Sequence, residues 1–189
     1  PAAGVTILIY HRVGGGSDSE VDLDIDTFRR QLDHLREHHH VVPLDAVPEL
    51  LATPSDERHV VVTFDDGTDD FCDHVVPALV DYDVPATLYA ATHFMDSGEA
   101  FPWGAPPATW NGLRDAVATG LVTIGSHTHS HALLDRADPA VIADELDRSI
   151  ELIGAEIGEA PAHFAYPKAL PGSAAAEAEV RQRFTTAAL

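Results

Sequence analysis

The chain reads as an α/β protein on a mostly parallel sheet, either an open sheet or a β/α barrel. Two observations predict this. Short β-branched apolar runs alternate with stretches of helical periodicity along the whole chain, the pattern of parallel strands joined by crossover helices. The residues equipped for chemistry, His11, Asp65, Asp66, His127 and the Tyr166-Pro167 pair, all sit at the ends of such runs. That is where α/β sheets and barrels carry their sites.

Taken in order, Thr6-Ile7-Leu8-Ile9-Tyr10 is the first strand, ending at His11, and the flexible Val13-Gly14-Gly15-Gly16-Ser17 turn follows. No Gly-Lys-Ser/Thr ending follows the glycines, which argues against a phosphate loop. Asp26 to Glu37 is predicted as helix, with Phe28, Leu32 and Leu35 on one face. His38-His39-His40 then reads as a solvated helix terminus, because consecutive residues at a helix end diverge. Val41-Val42-Pro43-Leu44 is the second strand, Asp45 to Leu51 a helix and Thr53-Pro54-Ser55 a loop. Val60 to Phe64 is the third strand. The helix from Phe71 to Val80 contains Pro77, which marks a kink or restart.

Ala86 to Ala91 is the fourth strand, and the Gly- and Pro-rich segment from Asp96 to Pro107 is a long loop holding Phe101-Pro102-Trp103. Loops of that length in compact domains are usually functional or disordered. Thr109 to Thr119 is a helix closed by Gly120, and Leu121 to Ser126 is the fifth strand. Pro139 to Ile157 is the longest helix, with Val141, Ile142, Leu146, Ile150 and Ile153 on one face and Gly158 as its stop. Ala162 to Tyr166 is the sixth strand, Ser173 to Arg183 a helix, and Phe184 to Leu189 begins the seventh strand. No repeat or composition break marks a linker, so residues 1–189 are expected to form one domain. Whether native residues follow Leu189 is open.

With 189 residues at 45% hydrophobic composition, the chain can bury a sizeable core. Lys and Arg number 11 against 31 Asp and Glu, for a formal charge of −20. Such a surface repels phosphate backbones, so nucleic acid is excluded as a partner. Cys72 is the single cysteine, so neither an intrachain disulfide nor a thiolate metal cluster can form, and it reads as a small buried residue. No apolar run approaches the roughly 20 residues that span a bilayer. The lack of a basic and apolar leader slightly favours the cytoplasm over secretion after processing, although a chain beginning at Pro1 leaves trimming open. Oligomeric state is not legible.

The third strand ends in Asp65-Asp66-Gly67. Strand neighbours point to opposite faces, so both carboxylates can serve one site only if the strand stops there, and Gly67 permits the sharp turn. The competing reading is that acids here cap the following helix, a role that also suits Asp69 and Asp70. His127 and His131 stand four apart in Ser126-His127-Thr128-His129-Ser130-His131, which puts two imidazoles on one face if the segment turns helically, with His129 facing elsewhere. One carboxylate and two histidines leave positions open on a zinc ion, the mark of a catalytic site. Without thiolates, the set suits cobalt or nickel as well. Trp103, among glycine and prolines in the long loop, is placed to offer an aromatic face to a ligand, whereas Trp110 begins a helix and reads as core.

Thr63-Phe64-Asp65-Asp66-Gly67 and His127-Thr128-His129-Ser130-His131 resemble the first two signature motifs of the NodB-homology polysaccharide deacetylases. The resemblance covers nearly the whole chain. It implies a distorted β/α barrel of about seven mostly parallel strands and an N-acetylated carbohydrate substrate. It also implies Asp65 as general base and a divalent metal, usually zinc, on Asp66, His127 and His131. The third motif departs from the family pattern: in Phe164-Ala165-Tyr166-Pro167-Lys168, Ala165 stands where the base-orienting arginine belongs. This variant is similar to the circularly permuted deacetylases of biofilm poly-N-acetylglucosamine.

By that likeness, the backbone N–H of Lys168 is the oxyanion donor. His11, from an early strand ending Tyr10-His11-Arg12-Val13, is the general acid. Arg12 is expected to steady Asp65, and Arg12, Trp103 and Tyr166 to face substrate. The implied activity is removal of an N-acetyl group from a sugar, polymeric or small. The alternatives are another amide or ester on a small glycoside, hydrolysed by the same site, and a non-catalytic glycan-binding domain.

Overall fold

The computed structural model describes residues 4–53 and 57–189. A seven-stranded, wholly parallel sheet curls into a half-barrel. Its strands are β1 (Gly4–Tyr10), β4 (His40–Val41), β5 (Arg58–Phe64), β6 (Ala86–Ala90), β7 (Val122–Ser126), β8 (His163–Ala165) and β9 (Thr186–Ala188). The lateral order is β1-β5-β6-β7-β8-β9, with β4 also paired to β5. β2 (Arg12–Val13) and β3 (Asp22–Leu23) form a small parallel pair beside it. The helices are α1 (Ile25–His38), α2 (Val47–Ala52), α3 (Val76–Tyr82), α4 (Thr92–Ser97), α5 (Trp110–Ala118), α6 (Pro139–Ile157) and α7 (Ala174–Arg183). Among the described residues, none of these helices is long and apolar enough to cross a membrane.

The strand β5 shows why the site lies where it does. Every residue from His59 to Phe64 is buried, as expected of a parallel strand covered on both faces. Val60, Val62 and Phe64 pack outward against the helix layer with Phe28, Leu32 and Leu79, while Val61 packs inward with Tyr89 and Ala165. Continuing that alternation turns Asp65 into the barrel mouth. Phe64 anchors the strand end: its ring stacks on Tyr10 at 5.2 Å and meets Phe71 edge-on at 5.1 Å.

Helix boundaries follow their punctuation. α6 runs from Pro139 to Ile157 and ends at Gly158 in the left-handed conformation (φ 93°). Thr109 caps α5 by accepting from the Gly112 N–H at 3.1 Å. The helix expected over Phe71 to Val80 is instead a π-turn (Phe71–Val75) followed by α3, with Pro77 in its first turn, so the proline restarts the helix. Several expectations are corrected. Leu44 leaves the second strand and opens a 3₁₀ turn (Leu44–Ala46) ahead of α2. Thr92–Ser97, expected in part as loop, is the helix α4. Val141 is exposed, because it falls to the outer side of the buried stripe of Ile142, Leu146, Ser149 and Ile153. Cys72 is only half-buried, packed where a side chain on Gly112 would meet its sulfur at 2.9 Å. The loop expected at Thr53-Pro54-Ser55 lies mostly outside the described residues.

Candidate active site

The two carboxylates come to one rim through a backbone reversal. The Asp65 N–H donates to the Tyr10 carbonyl at 2.9 Å, extending the β1–β5 ladder by one bond. Asp66 then takes a left-handed conformation (φ 72°) and Gly67 another (φ 91°). A non-glycine residue in that region costs about 1–3 kcal/mol and is held by its surroundings. Here the Ala91 N–H donates to the Asp66 carbonyl at 3.0 Å and the Ala108 N–H to the Gly67 carbonyl at 2.9 Å. No other residue fits at Gly67 without a shift, since a Cβ would lie 2.2 Å from Met95 Cε. Thus the reversal begins at Asp66 itself, one residue before the glycine expected to make it.

The histidines are held differently from the helical turn that their spacing suggested. The residues from His127 to His131 are irregular, with Thr128 (φ 63°) and His131 (φ 59°) both left-handed. The Thr128 hydroxyl accepts from the Ala132 N–H at 2.9 Å, and Glu145 accepts from the Ser130 N–H at 2.7 Å and from its hydroxyl at 2.6 Å. His127 Nδ1 lies 2.9 Å from the Ala165 carbonyl, which can only accept, so Nδ1 carries the proton and Nε2 presents a lone pair. His129 turns away toward α4, its Nδ1 2.9 Å from the Thr92 hydroxyl.

Asp66 Oδ1 lies 3.7 Å from His127 Nε2 and 3.4 Å from His131 Nε2, and ligand atoms of all three residues fall within 4.8 Å of one another. Two ligands at about 2.0–2.1 Å from a tetrahedral cation sit about 3.3 Å apart, so the set fits a divalent metal with little adjustment. A second observation supports the fit. Asp66 Oδ1 is buried with no hydrogen-bond partner among the described residues, a position costly for a carboxylate unless a cation faces it. Burial pushes the Asp66 carboxyl up to about 7; burial and then the Asp66 charge push Asp65 up to about 7. Burial and then its neighbour His131 lower His127 to about 3; burial and then the Lys168 ammonium lower His131 to about 4. Both imidazoles are therefore neutral near pH 7, the form that ligates metals.

His11 completes the rim. Its Nε2 lies 3.9 Å from Asp65 Oδ2, a third of its side chain is exposed, and burial lowers its pKa. A cavity of about 590 Å³ opens here, lined by His11, Arg12, Asp65, Lys168 and Leu189 among others. Lys168 and Ala169 are consecutive left-handed residues (φ 57° and 51°), so the Pro167–Ala169 turn is as bent as the other site loops. Trp103, about half exposed, stacks on Phe101 at 4.8 Å and meets His131 edge-on at 5.8 Å, placing an aromatic face beside the histidine pair.

Two expectations are corrected. Arg12 does not steady Asp65: its Nε donates to Asp70 Oδ1 at 3.1 Å and Nη1 lies 3.8 Å from Asp22 Oδ2. Both carboxylates are nearer to it than Asp65, and Gly15 lets the loop close on the guanidinium, since a Cβ there would lie 2.2 Å from Arg12 Nη2. Asp70 accordingly makes no side-chain cap bond and accepts instead from Arg12 and from the Val13 N–H at 2.8 Å. Tyr166 does not face this cavity. Its ring is buried edge-on against Phe164 at 4.9 Å and lines a separate cavity of about 420 Å³ beneath α7. The expectations missed Glu145 and Asp70. Glu145 could have been found, because it falls in the helical stripe Ile142, Leu146, Ser149 and Ile153, where a charged residue needs a buried partner.

Comparison with known proteins follows the same lines. The family model described as "Polysaccharide deacetylase" matches residues 52–186. A chitooligosaccharide deacetylase of Bradyrhizobium sp. (strain ANU 289) is 33% identical over 107 residues, 56% of this chain and 43% of that protein, so the match spans less than half of the relative's length. Among solved structures, IcaB from Ammonifex degensii superposes with a TM-score of 0.87 at 23% identity, covering 97% of this chain and 82% of the other. The Streptococcus pyogenes deacetylase PplD, solved in complex with acetate, gives 0.83 at 23% identity, with 95% and 80% covered. These likenesses establish the NodB-type β/α fold. With the family model spanning both the Asp65-Asp66-Gly67 reversal and the His127–His131 loop, the chain belongs to the polysaccharide deacetylase family.

Proposed function

We propose that the protein hydrolyses the acetamide of an N-acetylated sugar, using a divalent metal, foremost zinc, held by Asp66, His127 and His131. The observation that carries this reading is the convergence of two imidazole Nε2 atoms on a buried, unpartnered carboxylate oxygen. A bound divalent cation supplies Lewis-acid polarisation of the acyl oxygen and a water of lowered pKa. Asp65 takes the proton of the attacking water at Oδ2, the oxygen nearest to both His11 and His127. His11 Nε2, 3.9 Å from that oxygen on the cavity rim, gives a proton to the departing amine, which otherwise leaves poorly. The Lys168 N–H donates to the oxyanion as it develops. Trp103 offers its face to a sugar ring.

The deciding measurement combines metal analysis with acetate release from N-acetylglucosamine oligomers for wild type, Asp65→Asn and His11→Ala. The expected result is at least one metal per chain, lost on replacing Asp66 and His131, and a loss of activity of about 10²–10⁴-fold for each variant, the usual worth of a positioned acid or base. Bound metal without acetate release by the wild type would remove the deacetylase reading. Full activity in His11→Ala would remove the acid assigned to His11.

A further inference from the structure

At the far end of β5 from Asp65, the last turns of α1 carry a histidine cluster that the deacetylase chemistry leaves unused. His34 and His38 stand four apart on the helix and His39 is its C-terminal cap. The His34 ring lies 4.6 Å from His38 at an interplanar angle of 60°, and 5.7 Å from His39 at 61°. The pair His127–His131 provides an internal standard, with rings 5.1 Å apart at 54°. Two imidazoles sharing one tetrahedral cation at about 2.0–2.1 Å from a ring nitrogen place their ring centres about 5 Å apart. The His34–His38 pair falls near that value, whereas His39 joins the set only when its ring turns: among the described residues, Asp66, His127 and His131 are the one group of three whose ligand atoms already lie within 4.8 Å of one another.

Most of its surroundings point the same way, with the Arg58 guanidinium as the opposing cation near His39. His39 Nδ1 is buried with no hydrogen-bond partner among the described residues, a polar atom whose burial calls for one. His38 Nε2 lies 3.8 Å from Glu37 Oε2, so a carboxylate borders the group. The nearby Arg36 is drawn off, paired with Asp33 at 3.7 Å and lying over the Tyr82 ring at 5.2 Å. The end of α1 presents carbonyls, the negative end of the helix dipole. A formal charge of −20 raises the local concentration of cations at the surface.

We propose that His34, His38 and His39 form a second divalent-cation site, selective for metals that prefer imidazole, such as zinc, nickel and copper, over magnesium and calcium. A cation there ties the end of α1 to the segment entering β4, which pairs with β5 through His40 and His59. Since a seven-residue strand is about 20 Å long, the two sites are independent.

The test is calorimetric titration of chelator-stripped protein with Zn²⁺, for wild type, His34→Ala/His38→Ala and Asp66→Asn/His131→Ala, with circular dichroism confirming each fold. The expected result is two equivalents bound by wild type and one by each double variant. Titrating the Asp66→Asn/His131→Ala protein with Cu²⁺ should show imidazole nitrogen coupling by electron paramagnetic resonance, absent once His34 and His38 are also replaced. A wild type that binds one equivalent, lost on replacing Asp66 and His131, overturns the proposal, as does a second equivalent that survives His34→Ala/His38→Ala. Failure of the deacetylase site is a separate outcome, in which Asp66→Asn/His131→Ala loses no bound metal.

Discussion

His127 and His131 stand four residues apart on a loop, and His34 and His38 stand four apart on a helix. The ring separations are similar, 5.1 and 4.6 Å, yet the means of reaching them are opposite. The helix brings its pair together by geometry alone and leaves both rings exposed. The loop spends two left-handed residues, Thr128 and His131, on the same proximity, then fixes it with Glu145 and the Ala165 carbonyl. The two pairs thus differ in where their preorganisation is stored. The loop pair is held before any ligand arrives and has an orphaned carboxylate to answer, whereas the helix pair must order its own side chains on binding.

The loop pair should suffer most when it is broken at its carboxylate. Asp66→Asn should abolish tight binding at the first site and lower acetate release by at least about 10³-fold, the scale of a lost metal or transition-state donor. The metal-free variant should nonetheless be more stable than metal-free wild type, because a neutral amide replaces a buried charge without a partner. A gain of about 1 kcal/mol would appear as a melting temperature higher by about 2–4 °C. Scanning calorimetry of both chelated proteins checks this, and a lower value for Asp66→Asn would contradict the reading of Asp66 Oδ1 as an uncompensated charge.

Next comes the support of the loop rather than its ligands. Glu145→Ala removes both bonds to Ser130 and should weaken metal binding at the first site by about 10–100-fold, the usual effect of removing a group that orients a ligand. Arg148→Ala, one exposed turn along the same helix, should leave affinity unchanged. Equal losses for the two variants would mean that the loop needs no such brace. The opposite rim has its own brace in Asp70. Asp70→Asn should loosen Arg12 and Val13 beside His11 and reduce kcat about tenfold with KM and metal affinity unchanged, if the general-acid step is what depends on placement. A change in metal affinity instead would assign Asp70 to the whole barrel mouth.

These braces are also where the sequence was least legible. Elements with strong punctuation could be read directly: α6 from Pro139 to Gly158, α5 from Thr109, and β5 from its β-branched run. The helix α4 escaped because Thr92–Ser97 is short, has no side-chain cap at Ala91 and runs into a glycine-rich segment. Site residues at strand ends could be placed at one rim from the parallel α/β pattern, since β1 and β5 are aligned in register up to Tyr10 and Phe64. Side-chain direction beyond the strand could not. Arg12 and Tyr166 each follow a strand end, but which way they turn depends on Asp70, Asp22 and α7, partners 10 to 58 positions away. Spacing carries proximity, and long-range contacts decide orientation.

The smallest effect is expected at the helix pair. In chelated protein, His34→Ala/His38→Ala replaces two exposed side chains with a better helix former and should move stability by no more than about 1 kcal/mol. Acetate release should be unchanged, because the pair lies a full strand length from Asp65. With Zn²⁺ added, wild type should gain more thermal stability than the double variant, by the increment RT ln(1 + [L]/Kd) for the site removed. Since no brace holds the rings, that increment should fall short of the one lost with Asp66→Asn. An increment equal to or larger than that would mean that the exposed helix pair is as well organised as the buried loop, and that the left-handed residues at Thr128 and His131 serve catalysis rather than affinity.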